Sequence, residues 1–209
     1  MSARIIYLHG FASSPASRKA RFFQERLAEV GKEVAVPDLA PEGFRQSSIS
    51  RQLGIIEEIV ASRPSCLIGS SLGGYVAALA ASRVAAVERL VLLAPAFCFA
   101  DRWREYLGED EMRRWETTGT RSFYHYDTGR DEELDYTFYV DAVSQAAYPE
   151  VSQPALVFHG AKDDVVPVEL SREWVRRTPS ARLREVDSDH GLLDAREAIW
   201  ASAQDFLAG

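Results

Sequence analysis

The sequence predicts a doubly wound α/β fold: a mostly parallel sheet of about six strands with helices on both faces. Three observations carry that expectation. Short apolar runs alternate with helical patterns nearly from end to end of the chain. Each run is a near-continuous apolar stretch, as strands covered on both faces require. Helix-stopping residues punctuate the alternation: Gly31 closes the first helical pattern, and Pro64 follows the second.

In chain order, strands are expected at Arg4 to His9, Glu33 to Pro37, Ser65 to Gly69, Arg89 to Ala94, Ala155 to His159 and Arg182 to Val186. Helices are expected at Ala16 to Glu29, Ile49 to Ser62, Leu72 to Ser82, Val168 to Arg177 and Leu192 to Leu207. Right-handed crossovers between such strands place helices on both sheet faces. Ligands of these sheets bind at the carboxyl ends of the strands, so the chemistry should lie there. From Phe97 to Tyr148 the alternation breaks into helix-like pieces with no convincing central strand. A connection this long is a lid or binding insertion, or else a mistaken assignment of elements. The expectation is a single domain over residues 1–209 with a lid at about 97–148.

Length and composition set the outer limits. A chain of 209 residues is close to one domain of roughly 100 to 200 residues, and it removes roughly 70% of its unfolded surface from water on folding. The net charge of -7 argues against a phosphate-backbone partner, which needs clustered Lys and Arg. Cys66 and Cys98 lie far apart without CxxC spacing, so neither a metal site nor a disulfide framework is indicated and a cytoplasmic setting is expected. The run between Arg4 and Gly10 is too short for a signal segment, and no apolar run reaches membrane-spanning length. A protein neither exported nor membrane-bound is the expectation, and a homo-oligomer is compatible with the sequence.

The strand ends carry the chemistry. Gly69-Ser70-Ser71-Leu72-Gly73 is a G-x-S-x-G between an expected strand and an expected helix. Glycine leaves room for neighbouring chain on both sides of a sharp turn, which lifts the Ser71 hydroxyl above the sheet beside a helix N-terminus. The competing reading is that Ser70 or Ser71 merely caps the helix. A serine hydroxyl is a poor nucleophile until an oriented base takes its proton. "VFHGAKDDVVP" supplies Asp163 and Asp164 after the fifth strand, and "REVDSDHGLL" supplies His190 after the sixth. His9 and His159 end strands before glycines and read as satisfied turn histidines, whereas His125 falls in the insertion and reads as exposed or substrate-lining. Oxyanion donors are expected from the Leu72 N–H and, in the loop "LHGFASS", from the Phe11 N–H. The two aspartates share one turn, and chemistry alone does not separate them.

The stretches "YLHGF.SSP.S.KA" (Tyr7 to Ala20) and "GSSLGGY" (Gly69 to Tyr75) resemble the α/β-hydrolase superfamily, and within it the small bacterial esterases of the YqiA type. The likeness covers the whole chain except the insertion. It implies a minimal α/β-hydrolase fold and a cofactor-free serine esterase acting on acyl esters or thioesters, with Ser71, Asp163 and His190 as triad. The HG-x-x-D-x-x-V-P arrangement is similar to the acid loop of many α/β-hydrolases, which selects Asp163 over Asp164. Rival expectations are an acyl-CoA thioesterase or carbon–carbon bond hydrolase with the same triad, and a silent binding protein on the same fold. Relatives with dehalogenase or epoxide hydrolase chemistry carry aspartate where Ser71 stands. The insertion holds many of the chain's aromatics, including Trp103, Trp115 and Phe123, which would line an acyl pocket or form the insertion's own core. Glu109 with Arg113 and Asp110 with Arg114 read as i,i+4 pairs on a solvated face.

Overall fold

A computed structural model describes residues 3–208; Met1, Ser2 and Gly209, the extremes of the expected domain, lie outside the described residues. Six strands form one sheet: β1 (Arg4–Leu8), β2 (Val34–Ala35), β3 (Ser65–Ser70), β4 (Val87–Leu93), β7 (Ala155–Gly160) and β8 (Ala181–Val186), in the order β2-β1-β3-β4-β7-β8. Every pairing in this sheet is parallel. The chain runs outward from β1 to β2 and then returns past β1 to β3, so the winding reverses between β1 and β3. That switch point is where an open α/β sheet forms its crevice.

Strand periodicity decides which helix each residue meets. In β1, Ile5 and Tyr7 join a core that includes Phe23 and Leu27 of α1 (Arg18–Glu29) and Ile199 and Ala203 of α7 (Arg196–Ala208). Ile6 and Leu8 face the other way, into a core with Leu53 of α2 (Ile49–Val60), Val76 of α3 (Leu72–Ala81) and Trp174 of α6 (Val168–Arg177). Helix α3 is buried along its whole length, as expected for a helix apolar on every side. No helix among the described residues is long and apolar enough to cross a membrane.

Several boundaries move for identifiable reasons. The second strand shrinks to Val34–Ala35 because it pairs on one side only, with β1. The last helix starts at Arg196 rather than Leu192, since Leu192 takes a left-handed φ of 55°. Helix α1 begins at Arg18, where the Ser17 side chain accepts a hydrogen bond from the Ala20 N–H.

Between β4 and β7 the insertion folds as α4 (Phe99–Thr118), an antiparallel hairpin of β5 (Thr120–His125) and β6 (Arg130–Asp135), and α5 (Thr137–Val143). The hairpin stands apart from the central sheet. Gly108, with φ 76° and ψ 163°, breaks α4 into two pieces. Beyond that break the acidic residues pair one position closer than the i,i+4 expectation: Asp110 with Arg113, and Glu111 with Arg114 at 2.8 Å. The insertion aromatics pack on one another and join the scaffold core: Trp115 and Phe138 are buried in the same core as Ile6 and Leu8, Trp103 stacks on Phe123 at 5.1 Å, and Tyr106, Tyr124 and Tyr126 are exposed. The insertion is tied down by Asp141, which accepts from the Ser50 N–H at 2.8 Å, and by the Tyr126 N–H, which donates to the Ala12 carbonyl at 2.8 Å.

The return from the insertion is anchored by Trp174. Its ring stacks on Phe97 at 4.8 Å, and its indole N–H donates to the Pro149 carbonyl at 2.9 Å. Trp174→Ala should cost about 3–5 kcal/mol of stability, read as a lower urea midpoint with an unchanged slope.

Candidate active site

Ser71 occupies the turn between β3 and α3 with φ 54° and ψ -118°, a strained conformation for a residue with a side chain. Its backbone is held on both sides. The N–H donates to the Leu93 carbonyl at 2.8 Å, and its carbonyl accepts from Gly74 at 2.9 Å, Tyr75 at 3.1 Å and Ala96 at 3.0 Å. Although Ser71 stands at the N-cap position, its side chain makes no capping hydrogen bond. The hydroxyl is directed elsewhere.

The glycines of the turn are demanded by backbone contacts. A Cβ on Gly69 would lie 2.3 Å from the Gly73 carbonyl oxygen, and one on Gly73 would lie 2.3 Å from the Leu8 carbonyl oxygen. No L side chain fits at either place. A Cβ on Gly10 would meet the Ser71 Cβ at 3.5 Å, so the loop after β1 runs directly beside the serine.

Ser71, His190 and Asp163 meet at the carboxyl end of the sheet. His190 Nε2 lies 3.1 Å from Ser71 Oγ, and His190 Nδ1 lies 2.7 Å from Asp163 Oδ2. A carboxylate only accepts, so Nδ1 carries the hydrogen and the Nε2 lone pair faces the serine hydroxyl. The Asp163 side chain has no solvent exposure, while Asp164 is exposed. Burial by itself would raise the Asp163 pKa; hydrogen bonds from His159, His190 and the Val166 N–H outweigh it and hold the carboxyl well below its usual range. Oδ1 takes the Val165 and Val166 N–H groups at 2.9 and 2.8 Å.

The Phe11 and Leu72 N–H groups donate to no protein acceptor among the described residues. Both flank the switch point, and Leu72 opens α3, where the helix dipole favours negative charge. The Phe11 ring packs edge-on against Trp103 at 4.9 Å and Phe123 at 5.4 Å. The backbone beside Ser71 is thereby joined to the insertion.

The remaining histidines sit elsewhere. His9 is buried, with Nε2 accepting from the Leu39 N–H at 3.2 Å and Nδ1 at 3.1 Å from the Gly10 carbonyl; burial pulls its pKa down. His125 is buried rather than exposed, packed edge-on against Phe44 at 5.2 Å. Arg102, Arg121 and Arg130 each pair with a carboxylate, those of Glu105, Glu111 and Glu132. Among the described residues no cluster of His, Cys, Asp or Glu is arranged to hold a metal ion.

Two contributors to the site were not singled out from the sequence. A Cβ on Gly160 would lie 2.4 Å from the Ser188 carbonyl oxygen and 2.5 Å from that of Asp189, so the loop carrying His190 passes directly over it. Lys19 Nζ lies 3.5 Å from the His190 carbonyl oxygen. Burial lowers its ammonium to about 8, against the pull of Asp163 and Asp189. The His-Gly pair four residues before Asp163 was the available signal for the first, and Lys19 lies within the Tyr7 to Ala20 stretch.

Sheet order, elbow and topological switch point together define an α/β-hydrolase fold. Solved structures agree on the fold. Alpha/beta hydrolase domain-containing protein 10 from mouse is 22% identical with a TM-score of 0.83, covering 100% of this chain and 90% of that one. Est1E from Butyrivibrio proteoclasticus with bound ferulic acid is 21% identical with a TM-score of 0.81, covering 99% and 90%. Monoacylglycerol lipase from Paleococcus ferrophilus is 18% identical with a TM-score of 0.78, covering 99% and 96%. The family model described as "Uncharacterised protein family (UPF0227)" matches residues 4–207, and the chain belongs to that family.

Two outcomes are expected of this geometry. Gly160→Ala should displace the His190 loop and slow any chemistry at Ser71 while its circular dichroism stays native. Because the folded state holds the Asp163 carboxyl below its unfolded pKa, the associated stability is complete above that unfolded value and is lost as pH falls below about 4. The urea midpoint of Asp163→Asn should therefore fall less steeply with acid than that of the wild type.

Proposed function

We propose that this protein is a serine hydrolase, a carboxylesterase that cleaves acyl esters through an acyl-enzyme intermediate. The observation that carries the reading is the unbroken run of hydrogen bonds from Ser71 Oγ through His190 to buried Asp163. The names of two structural neighbours, an esterase with bound ferulic acid and a monoacylglycerol lipase, point the same way.

In this reading His190 Nε2 takes the Ser71 proton as Oγ attacks the ester carbonyl carbon. Asp163 fixes the tautomer and stabilises the imidazolium that forms. The carbonyl oxygen becomes an oxyanion, and the unpartnered Leu72 and Phe11 N–H groups donate to it. The tetrahedral species collapses, the C–O bond to the alcohol breaks, and His190 returns its proton to the departing oxygen. Water then attacks the acyl-serine with the same imidazole as base, and the acid leaves with Ser71 regenerated. None of these steps needs a cofactor. The insertion over the β1 loop is the lid of this site, and Phe11 is the residue through which it reaches the oxyanion donors.

The decisive experiment is labelling with a fluorophosphonate probe, followed by a panel of esters and acyl-CoA thioesters of graded chain length. Wild type should label, and Ser71→Ala should not. Hydrolysis by Ser71→Ala or His190→Ala should fall by at least about 10⁴-fold. Full activity in Ser71→Ala would disprove the mechanism, and faster turnover of the thioesters would reassign the enzyme as a thioesterase.

A further inference from the structure

We propose that His159 is a positioning residue for Asp163, and through it for His190; the inference rests on the serine-hydrolase reading above. His159 is the penultimate residue of β7 and has no solvent exposure. Its Nε2 lies 2.8 Å from the Val166 carbonyl oxygen and 3.1 Å from Asp163 Oδ2. Both partners are acceptors, so Nε2 carries a hydrogen and shares it between them. Nδ1, at 2.7 Å from Ser171 Oγ, then accepts from the Ser171 hydroxyl. Both ring nitrogens are thus engaged, and the two acceptors at Nε2 fix the tautomer.

The arrangement grips the acid loop at two points. Val166 donates its N–H to Asp163 Oδ1 while its carbonyl is held by His159, so one imidazole orients both the loop and the carboxylate. Asp163 then has four donors: the Val165 and Val166 N–H groups on one oxygen, His190 and His159 on the other. A carboxylate has about four acceptor sites. With no solvent exposure on the side chain, water does not replace a donor that is removed, and an unmet buried acceptor is costly. An apolar side chain at 159 would fill the same volume and supply none of this. The other charged groups near the pair are Lys19 from α1, Asp189 in the His190 loop, and Glu185, the register partner of His159 on β8.

Removing the His159 donor leaves Asp163 more basic. A more basic carboxylate binds the His190 proton more tightly, and it is itself protonated at higher pH. Both effects carry the acid side of the pH profile upward. The test is the rate of fluorophosphonate labelling against pH, which needs no knowledge of the substrate. His159→Leu should label about tenfold more slowly or worse, with the acid limb displaced to higher pH. His159→Gln, whose amide nitrogen stands near the place of Nε2, should restore most of the rate and the wild-type limb.

A folded His159→Leu with wild-type rate and limb would overturn the proposal. So would His159→Gln as slow as His159→Leu, since the ring's bulk would then be what matters. If His159→Leu does not fold, His159→Phe decides: it keeps an aromatic ring and supplies no donor, so a slower rate with a displaced limb supports the proposal and wild-type behaviour sinks it. Wild type that fails to label defeats the hydrolase reading instead. The inference is then judged by NMR titration of His190 in wild type and His159→Phe, where identical curves refute it and displaced curves support it.

Discussion

Backbone must approach backbone more closely at the carboxyl end of this sheet than any side chain allows. Gly69 and Gly73 bring the start of α3 against the ends of β1 and β3, and Gly160 does the same for the loop after β8. Ser71 sits in that crowded turn at φ 54°, at a cost of order 1–3 kcal/mol. Four backbone hydrogen bonds, one from its N–H and three to its carbonyl, offset the strain. The hydroxyl stays free for His190 because the Ser71 carbonyl, not its side chain, takes the Gly74 and Tyr75 N–H groups of the first turn of α3.

Much of this is legible in the sequence. β3 reads as a strand because all six of its residues are buried, leaving no polar face to interrupt the apolar run. The G-x-S-x-G pattern is legible because glycine is the response to the close contacts just described. What escaped depends on contacts between distant segments. The hairpin pairs β5 with a β6 rich in charge, in which Leu134 is the fully buried residue, so no alternation advertises it. The late start of α7 follows from a left-handed Leu192, which no local propensity encodes. Asp163 and Asp164 are neighbours of the same type, and only the folded acid loop buries one and exposes the other.

The insertion shows how a polar, irregular segment is fixed to a rigid scaffold. Its aromatics pack on one another and on the Phe11 ring, and its hairpin carries Glu133 and Asp135, which pair with Arg45 at 2.9 Å each. Such exposed pairs contribute little singly, about 0–1 kcal/mol. The larger share comes from aromatic burial, with Phe11 at the junction between scaffold and insertion. Movement of the insertion therefore bears directly on the backbone that carries one of the proposed oxyanion donors.

The acid loop shows the same economy in electrostatic form. A buried carboxylate is unfavourable in its charged state, and burial alone would leave Asp163 protonated and unable to hold His190. Two backbone N–H groups and two imidazoles reverse that balance. Three of the four donors lie in β7 or the loop that follows it, so most of the hydrogen bonds to Asp163 come from its own stretch of chain. The carboxylate is thus oriented mainly by its own stretch of chain, and the His190 imidazole completes its set of donors from the loop after β8.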